Sequence, residues 1–269
     1  MKGKGIIWAV LVWGLLWTGS LGVYQEQRLK KPLVLAHYVY AQQGEDQYKL
    51  SLFYVTNRSD QTKLTAIRLP GQADEWITYE KHAARSENAY VLLNETYVEI
   101  PIESKPHESV THITAFFSDG SEQDVDIGEL LFVSKLATSG ILEPSNSNSY
   151  TNTTGRKYFV VKENVRLTNI SVLPAGLSPN ELGVTINGKE WSSASGSIEL
   201  KKGFGMRLDY VLTLPDQDHR LGAYIQPALM LEFEKEDGSI VRERTDVLFT
   251  PFWDEETLSR IVRERGERR

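Results

Sequence analysis

The sequence contains no cysteine among its 269 residues. This absence excludes disulfide bonds, thiolate nucleophiles and cysteine zinc sites together. Any folded domain in the chain must therefore be held by its apolar core alone. Extracytoplasmic domains without cysteine are commoner in bacteria than in animals.

The chain also lacks the short motifs that carry catalysis. It has no Gly-x-Ser-x-Gly elbow, P-loop, dinucleotide fingerprint or His-Glu-x-x-His helix. Of its five histidines only His107 and His112 lie close, and residues five apart on a strand point to opposite faces. The acidic run from Ser118 to Asp126 does not have the spacing of a calcium loop. We therefore predict no enzyme activity, no cofactor and no metal site.

Positive charge is scarce as well. The formal net charge is −6 and the isoelectric point is about 5.5. A nucleic-acid binder needs a clustered positive surface to neutralise phosphates. The composition therefore argues against a nucleic-acid partner.

One long apolar run stands near the N-terminus. Ile6 to Val23 contains no charged residue, and a helix of that length reaches ~27 Å, enough for a thin hydrocarbon core. We predict an uncleaved anchor that crosses the lipid bilayer once, with the long remainder outside the cytoplasm. Ser20-Leu21-Gly22 also fits a signal-peptidase site, so a secreted protein is the alternative.

The rest of the chain has the texture of β-strands. Short runs rich in Val, Ile, Tyr and Phe alternate with Asn, Asp, Gly, Ser and Pro. We predict a mainly β chain with two tandem immunoglobulin-like sandwiches, each able to fold alone. The predicted units are anchor and juxtamembrane segment 1–31, first sandwich 32–134, linker 135–155, second sandwich 156–252, and C-terminal helix with basic tail 253–269.

The two β-rich blocks resemble each other, which suggests a duplication. Three pairs of segments match in the same order, and the growing offset between them predicts extra length in the second copy near residues 203–222. The pairs are Leu64–Pro70 with Leu167–Pro174, Asp119-Gly120-Ser121 with Asp237-Gly238-Ser239, and Leu131-Phe132 with Leu248-Phe249. Asp119-Gly120 is further expected to form a type I′ hairpin turn.

The last segment predicts a helix. Asp254 is suited to cap its N-terminus, and Leu258, Ile261 and Val262 form an apolar stripe at helical spacing. Gly266 is a natural stop. We expect this helix to pack on the second sandwich.

Exposed aromatic residues are the candidates for binding. Their rings are suited to stack on sugars or to anchor a protein partner, although residues of this kind are more often half-buried in sandwich cores or corners. The candidates are Trp76, Tyr79, Trp191 and Trp253. The basic end is a second candidate, for anionic head groups or an acidic partner, through Arg263, Arg265, Arg268 and Arg269.

Two functions follow from these features. The first is a membrane-tethered interaction or structural protein outside the cytoplasm, without catalytic activity and with a protein partner in the cell envelope. The alternative is a carbohydrate-binding or carbohydrate-cleaving envelope module.

Overall fold

The structure is a computed structural model of the full chain. It describes residues 12–19, 28–43, 46–60, 62–72, 75–80, 86–87, 90–101, 109–133, 139–145, 148–151, 153–173, 177, 181–192, 196–215, 218, 220, 222–247, 249 and 253–265.

The predicted membrane anchor is described only in its middle. Residues 12–19 form an exposed α-helix, α1, while residues 6–11 and 20–23 lie outside the described part. No helix in the described ranges has the length and apolarity needed to span a bilayer.

The remaining chain is mainly β with a short C-terminal helix, as the sequence predicts. Twenty strands are described: β1 Leu33–Val34, β2 His37–Gln43, β3 Gln47–Asn57, β4 Leu64–Arg68, β5 Trp76–Glu80, β6 Ser86–Glu87, β7 Val91–Pro101, β8 Ser109–Phe117, β9 Glu122–Val133, β10 Leu142–Pro144, β11 Ser149–Tyr150, β12 Thr154–Val161, β13 Val165–Leu173, β14 Leu182–Ile186, β15 Lys189–Glu190, β16 Ile198–Leu200, β17 Gly205–Leu212, β18 Tyr224–Gln226, β19 Ala228–Lys235 and β20 Ile240–Asp246. The helix α2 spans Glu255–Arg265.

Strands β1 to β9 form what we call the first sandwich. Antiparallel β3 and β7 pair along their whole length, β4, β8 and β9 pair in that order, and β2 runs parallel to β9. Strand β5 pairs with both β4 and β7, and β2 pairs with both β9 and β3, so the strands of the two layers belong to one hydrogen-bonded sheet. The arrangement resembles a β-sandwich. A core of buried residues, including Leu52, Ile67 and Ile113, fills the space between the layers.

The second sandwich consists of two separate sheets. One has the strand order β10-β12-β17-β14-β15, with β11 also paired to β12, and the other has the order β16-β13-β19-β20. Alternate residues of both sheets point inward, among them Leu167, Leu208 and Phe233, none of which is exposed. The second core is thus distinct from the first, and the block has the layers expected of a sandwich.

Much of the predicted linker 135–155 belongs to the second sandwich. Ile141 is fully buried in the second core, and Leu142–Pro144 and Ser149–Tyr150 pair with β12 as edge strands. The run is polar because edge strands face solvent on one side, so its composition resembles that of a loop.

The segments that match in sequence share local geometry. The ladders β4–β8 and β13–β19 each have a register shift, at Thr65 and at Thr168. The hydroxyl of Thr65 donates to Phe116 O at 3.0 Å, and that of Thr168 donates to Glu232 O at 3.1 Å. An equivalent bulge at an equivalent threonine supports the interpretation that the two blocks arose by duplication.

The two Asp-Gly-Ser hairpins are also alike, although neither is a type I′ turn. In each, the aspartate Oδ1 accepts from the serine amide at 2.9 Å and from its hydroxyl at 2.6 Å. A type I′ turn needs positive φ at both central residues, but here only Gly120 and Gly238 have it. Asn187-Gly188, with φ of 52° and 80°, does meet that condition.

The extra length of the second copy lies in the connection from β17 to β19. Residues 213–227 join these strands, whereas the shorter segment 102–108 joins the equivalent β7 and β8. The longer connection carries β18, which leaves the second sandwich and pairs in parallel with β2 of the first. The amide of Tyr224 donates to Ala36 O at 2.8 Å. The two sandwiches are thereby joined by backbone hydrogen bonds.

Helix α2 begins where the sequence predicts, because Asp254 Oδ1 accepts from the amide of Thr257 at 2.7 Å. Its expected position on the second sandwich is wrong. The apolar stripe of the helix packs on the outer face of β3 and β7, in the first sandwich. This third cluster contains Leu29, Leu35, Phe53, Val55, Val91, Leu93, Trp253, Leu258, Ile261 and Val262.

Replacing Leu258 by Ala tests this docking. Leu258 is fully buried under the helix, so we expect the free energy of unfolding to fall by about 2–5 kcal/mol, the usual cost of such a cavity. Glu264→Ala, on the exposed side of the same helix, should change it by less than about 0.5 kcal/mol. Urea denaturation followed by tryptophan fluorescence measures both. Equal effects of the two variants would contradict the packing.

Candidate functional site

The outer face of the β3–β7 pair changes character along its length. On β3, Phe53 and Val55 point outward, and on β7 so do Val91 and Leu93; helix α2 covers all four. Farther along, the residues of the same alternation are polar. A sheet face covered at one end only leaves its other end open to solvent.

The open end forms a groove of about 430 Å³. Its lining comes from both halves of the chain, because β18 supplies one wall. Residues Val39, Tyr40, Lys49, Leu50, Ser51, Glu95, Tyr97 and Glu99 belong to the first sandwich, and Tyr224 and Gln226 belong to β18. The site is therefore composite, and it requires the parallel pairing of β18 with β2.

The floor of the groove combines an aromatic ring with charged groups of both signs. Tyr97 pairs across the strands with Ser51, and Lys49 Nζ lies 3.1 Å from Glu99 Oε1. The ring of Tyr97 stacks on that of Tyr79 with centroids 5.2 Å apart and an interplanar angle of 24°. Tyr79 is 47% exposed, so the aromatic surface continues beyond the groove.

Strand β18 is held in place from behind by a buried histidine. His37 pairs with Tyr224 in the β2–β18 ladder, and the two rings meet edge to face at 5.7 Å. The Nδ1–H of His37 donates to Leu35 O at 2.7 Å, because the Nε2 atom accepts from the amide of Phe53 at 3.0 Å. Burial lowers the pKa of His37 from 6.5 to about 4, which keeps the ring neutral near pH 7.

Ion pairs and a cation–π contact hold the rest of the joint. The guanidinium of Arg220 binds both Asp218 and Glu181, and so attaches the β18 connection to the second sandwich. Arg244 of β20 places its guanidinium carbon 5.2 Å from the ring centre of Tyr40, a groove residue. Contacts from the second sandwich thus fix the groove wall.

The two glutamates of the groove lie far apart along β7. Glu95 and Glu99 are four residues apart on one strand, so their Cα atoms are roughly 13 Å apart. Paired carboxyl groups of glycoside hydrolases lie about 5–10 Å apart. Among the residues that the structure describes, no cluster of three or more His, Asp or Glu side chains is arranged to hold a metal ion.

The predicted aromatic candidates have four different environments. Trp76 is 7% exposed because it points into the first core, and Trp253 is 5% exposed in the third cluster, where its Nε1–H donates to Gly222 O at 3.1 Å. The expectation that these two are exposed is wrong. Trp191 is half-buried against the second core. Tyr79 alone among the four is exposed, and it stacks on the groove residue Tyr97 without lining the groove itself.

The arginine candidates lie at the end of α2. Arg263 is exposed and Arg265 is half-buried in the last turn of the helix. Arg268 and Arg269 lie outside the described residues. Arg263 and Arg265 are on a helix that packs on the first sandwich, and neither lines the groove.

The residues that line the groove were not predicted from the sequence, although the residue pattern of β7 indicates an open polar surface. Its outward positions change from Val91 and Leu93 to Glu95, Tyr97 and Glu99. The apolar half predicts a covering element and the polar half predicts open surface. The wall from β18 has no comparable signal, since it depends on long-range pairing.

Comparisons with known proteins show limited similarity. No protein-family model and no curated protein matches the chain. Solved structures that resemble it include a Bacteroides ovatus SGBP-B from a mixed-linkage glucan utilization locus, in complex with a heptasaccharide, at 16% identity and a TM-score of 0.25. That match covers 84% of this chain but only 46% of the other.

Two further structures have immunoglobulin-type or fibronectin-type names. A marsupial T cell receptor matches at 14% identity and a TM-score of 0.23, over 81% of this chain and 96% of the receptor. Fibronectin(III)-like modules of Clostridium thermocellum CbhA match at 8% identity and a TM-score of 0.20, over 82% and 94%. At such TM-scores the similarity carries no argument, and the site must be judged from its own geometry.

The depressed pKa of His37 predicts a pH-dependent stability. The unfolded chain binds a proton at His37 below about pH 6.5, while the folded protein resists protonation down to about pH 4. The stability is therefore fully present above pH 6.5 and falls as the pH drops towards 4, by on the order of 3 kcal/mol. Urea denaturation across this range measures the slope.

The matched variant is His37→Gln, which keeps a donor and an acceptor but does not titrate. It should remove most of the slope that His37 contributes, whereas His112→Gln, at an exposed position, should not. An unchanged slope in His37→Gln would show that other groups cause the dependence.

Proposed function

We propose that this chain is a non-catalytic binding module of the cell envelope, and that its ligand occupies the groove between β3, β7 and β18. The observation that carries the proposal is the outer face of the β3–β7 pair. Helix α2 covers its apolar half, and its polar, aromatic half stays open as a cleft with a wall from the second sandwich. Clefts with a few convergent polar groups are the usual form of ligand sites.

We also propose that the two sandwiches lie outside the cytoplasm. Support comes from the uncharged run Ile6 to Val23, which we propose to be a single-pass membrane anchor, or a cleaved signal if Ser20-Leu21-Gly22 is recognised. Because the chain lacks cysteine, the cores of both sandwiches form without disulfide bonds. The tandem immunoglobulin-like sandwiches would then act as a spacer that presents the groove away from the membrane.

External protease on intact cells tests the location. We expect loss of a C-terminal epitope tag without cell lysis, because everything after the anchor would be outside the cytoplasmic membrane. A cytoplasmic marker protein serves as the control and should stay intact. A chain that is digested only after lysis would contradict the proposed location.

Site-specific photo-crosslinking tests the groove. Tyr79 is replaced by p-benzoylphenylalanine, and Tyr150 is replaced in the same way as the control, because both side chains are about half exposed, at 47% and 51%. Irradiation of intact cells should give a higher-mass adduct from position 79, since it borders the groove, and none from position 150 on the edge of the second sandwich. Equal adducts from both positions, or none from 79, would contradict the groove as the binding site.

A further inference from the structure

We infer that the groove binds an extended, neutral oligosaccharide, with a sugar ring stacked on Tyr97. This inference rests on the proposed function, because it names the ligand class of the same groove. It follows from the arrangement of one aromatic face, the polar groups around it and the charge balance of the lining.

Tyr97 supplies the aromatic surface on which a sugar ring would stack. Tyr97 points outward from β7, and one face of its ring is stacked on Tyr79 at 5.2 Å. The stack fixes the ring of Tyr97 in one orientation. Binding would therefore cost less side-chain conformational entropy. A pyranose ring has a flat apolar face of C–H groups, which packs on such a ring, and a rim of hydroxyl groups, which needs hydrogen-bond partners.

Polar groups of the lining supply those partners. Lys49, whose side chain is 63% exposed, pairs with Glu99, and Ser51 carries a hydroxyl that both donates and accepts. Gln226 accepts from the Tyr224 hydroxyl through Oε1 and carries an NH2 group that donates. Sugar hydroxyls donate and accept at once, so a mixed lining of this kind suits them. A purely apolar ligand would remove water from the Lys49–Glu99 pair without replacing it, at a cost in affinity.

The charges of the groove favour a neutral ligand. Glu95 is only 6% exposed, so the accessible charges are Lys49 and Glu99, which pair with each other at 3.1 Å. A charged ligand of either sign would have to compete with that pair. A neutral chain leaves the pair intact.

The length of the groove favours a chain over a single sugar. On β7 the lining runs from Glu95 to Glu99, which is roughly 13 Å of extended backbone. Tyr79 pairs with Tyr97 across the neighbouring strands β5 and β7, and it lies beyond the groove edge. A longer ligand that extends sideways over the strands would reach Tyr79 from Tyr97.

Calorimetric titration of the full chain in lipid nanodiscs tests the inference. The probes are neutral tetra- to octasaccharides from glucan, mannan, xylan and chitin, with oligolysine and oligogalacturonate as charged comparisons. We expect at least one neutral probe to bind and the charged ones not to. Tyr97→Ala should weaken that binding by about tenfold or more, whereas Tyr97→Phe, which keeps the ring face, should stay within about threefold.

Two further variants test the second aromatic ring and provide a surface control. Tyr79→Ala changes an exposed side chain and should weaken binding of the longer probes without unfolding the protein, and Tyr150→Ala is the surface control. Failure of every neutral probe, while position 79 still forms adducts in cells, would overturn the oligosaccharide and leave the binding module standing. Failure of both experiments would overturn both. Binding that Tyr97→Ala leaves unchanged would overturn the groove as the sugar site.

Discussion

The structure depends on a β-strand pair that is apolar on both of its faces. In β3, Leu52 and Tyr54 enter the first core while Phe53 and Val55 point the other way, so the pair needs cover on two sides. The sandwich supplies one cover. The other comes from the far end of the chain, because α2 brings Leu258, Ile261 and Val262 onto the outer face. The position of the helix, the path of β18 and the limits of the groove all follow from that requirement.

Two glycines near the joint between the halves pack too closely on their neighbours to leave room for a side chain. A Cβ atom at Gly128 would lie 2.6 Å from His37 O, and one at Gly222 would lie 2.6 Å from the side chain of Ile261. Both glycines have φ of +85°, which disfavours other residues in any case. The same joint contains the uncharged His37 and the wall residue Tyr224, so the core packing and the candidate site share their supports.

Local features of the fold were predictable and long-range ones were not. The strands, the hairpin at Asp119-Gly120 and the Asp254 cap follow from neighbours in sequence, and the structure confirms them, although the hairpin does not have type I′ geometry. The burial of Trp76 and Trp253 depends on which way a strand or a helix end faces, and residue type alone does not fix that direction. The docking of α2 on the first sandwich depends on a partner some 200 positions earlier, between Phe53 and Leu258. For the site, Tyr79 was predictable as an exposed ring, whereas the wall from β18 was not.

The use of the last residues to cover the first sandwich has a consequence for biosynthesis. A chain made from its N-terminus can pair β1 to β9 early, but the outer face of Phe53 and Val55 stays exposed to water until α2 has been synthesised. Contacts between distant segments form slowly, and exposed apolar surface invites aggregation meanwhile. A chain that stops short of residue 255 would contain every paired strand and still present a bare apolar face. Such a face is what quality-control proteases and chaperones bind, so the docking of α2 removes that signal.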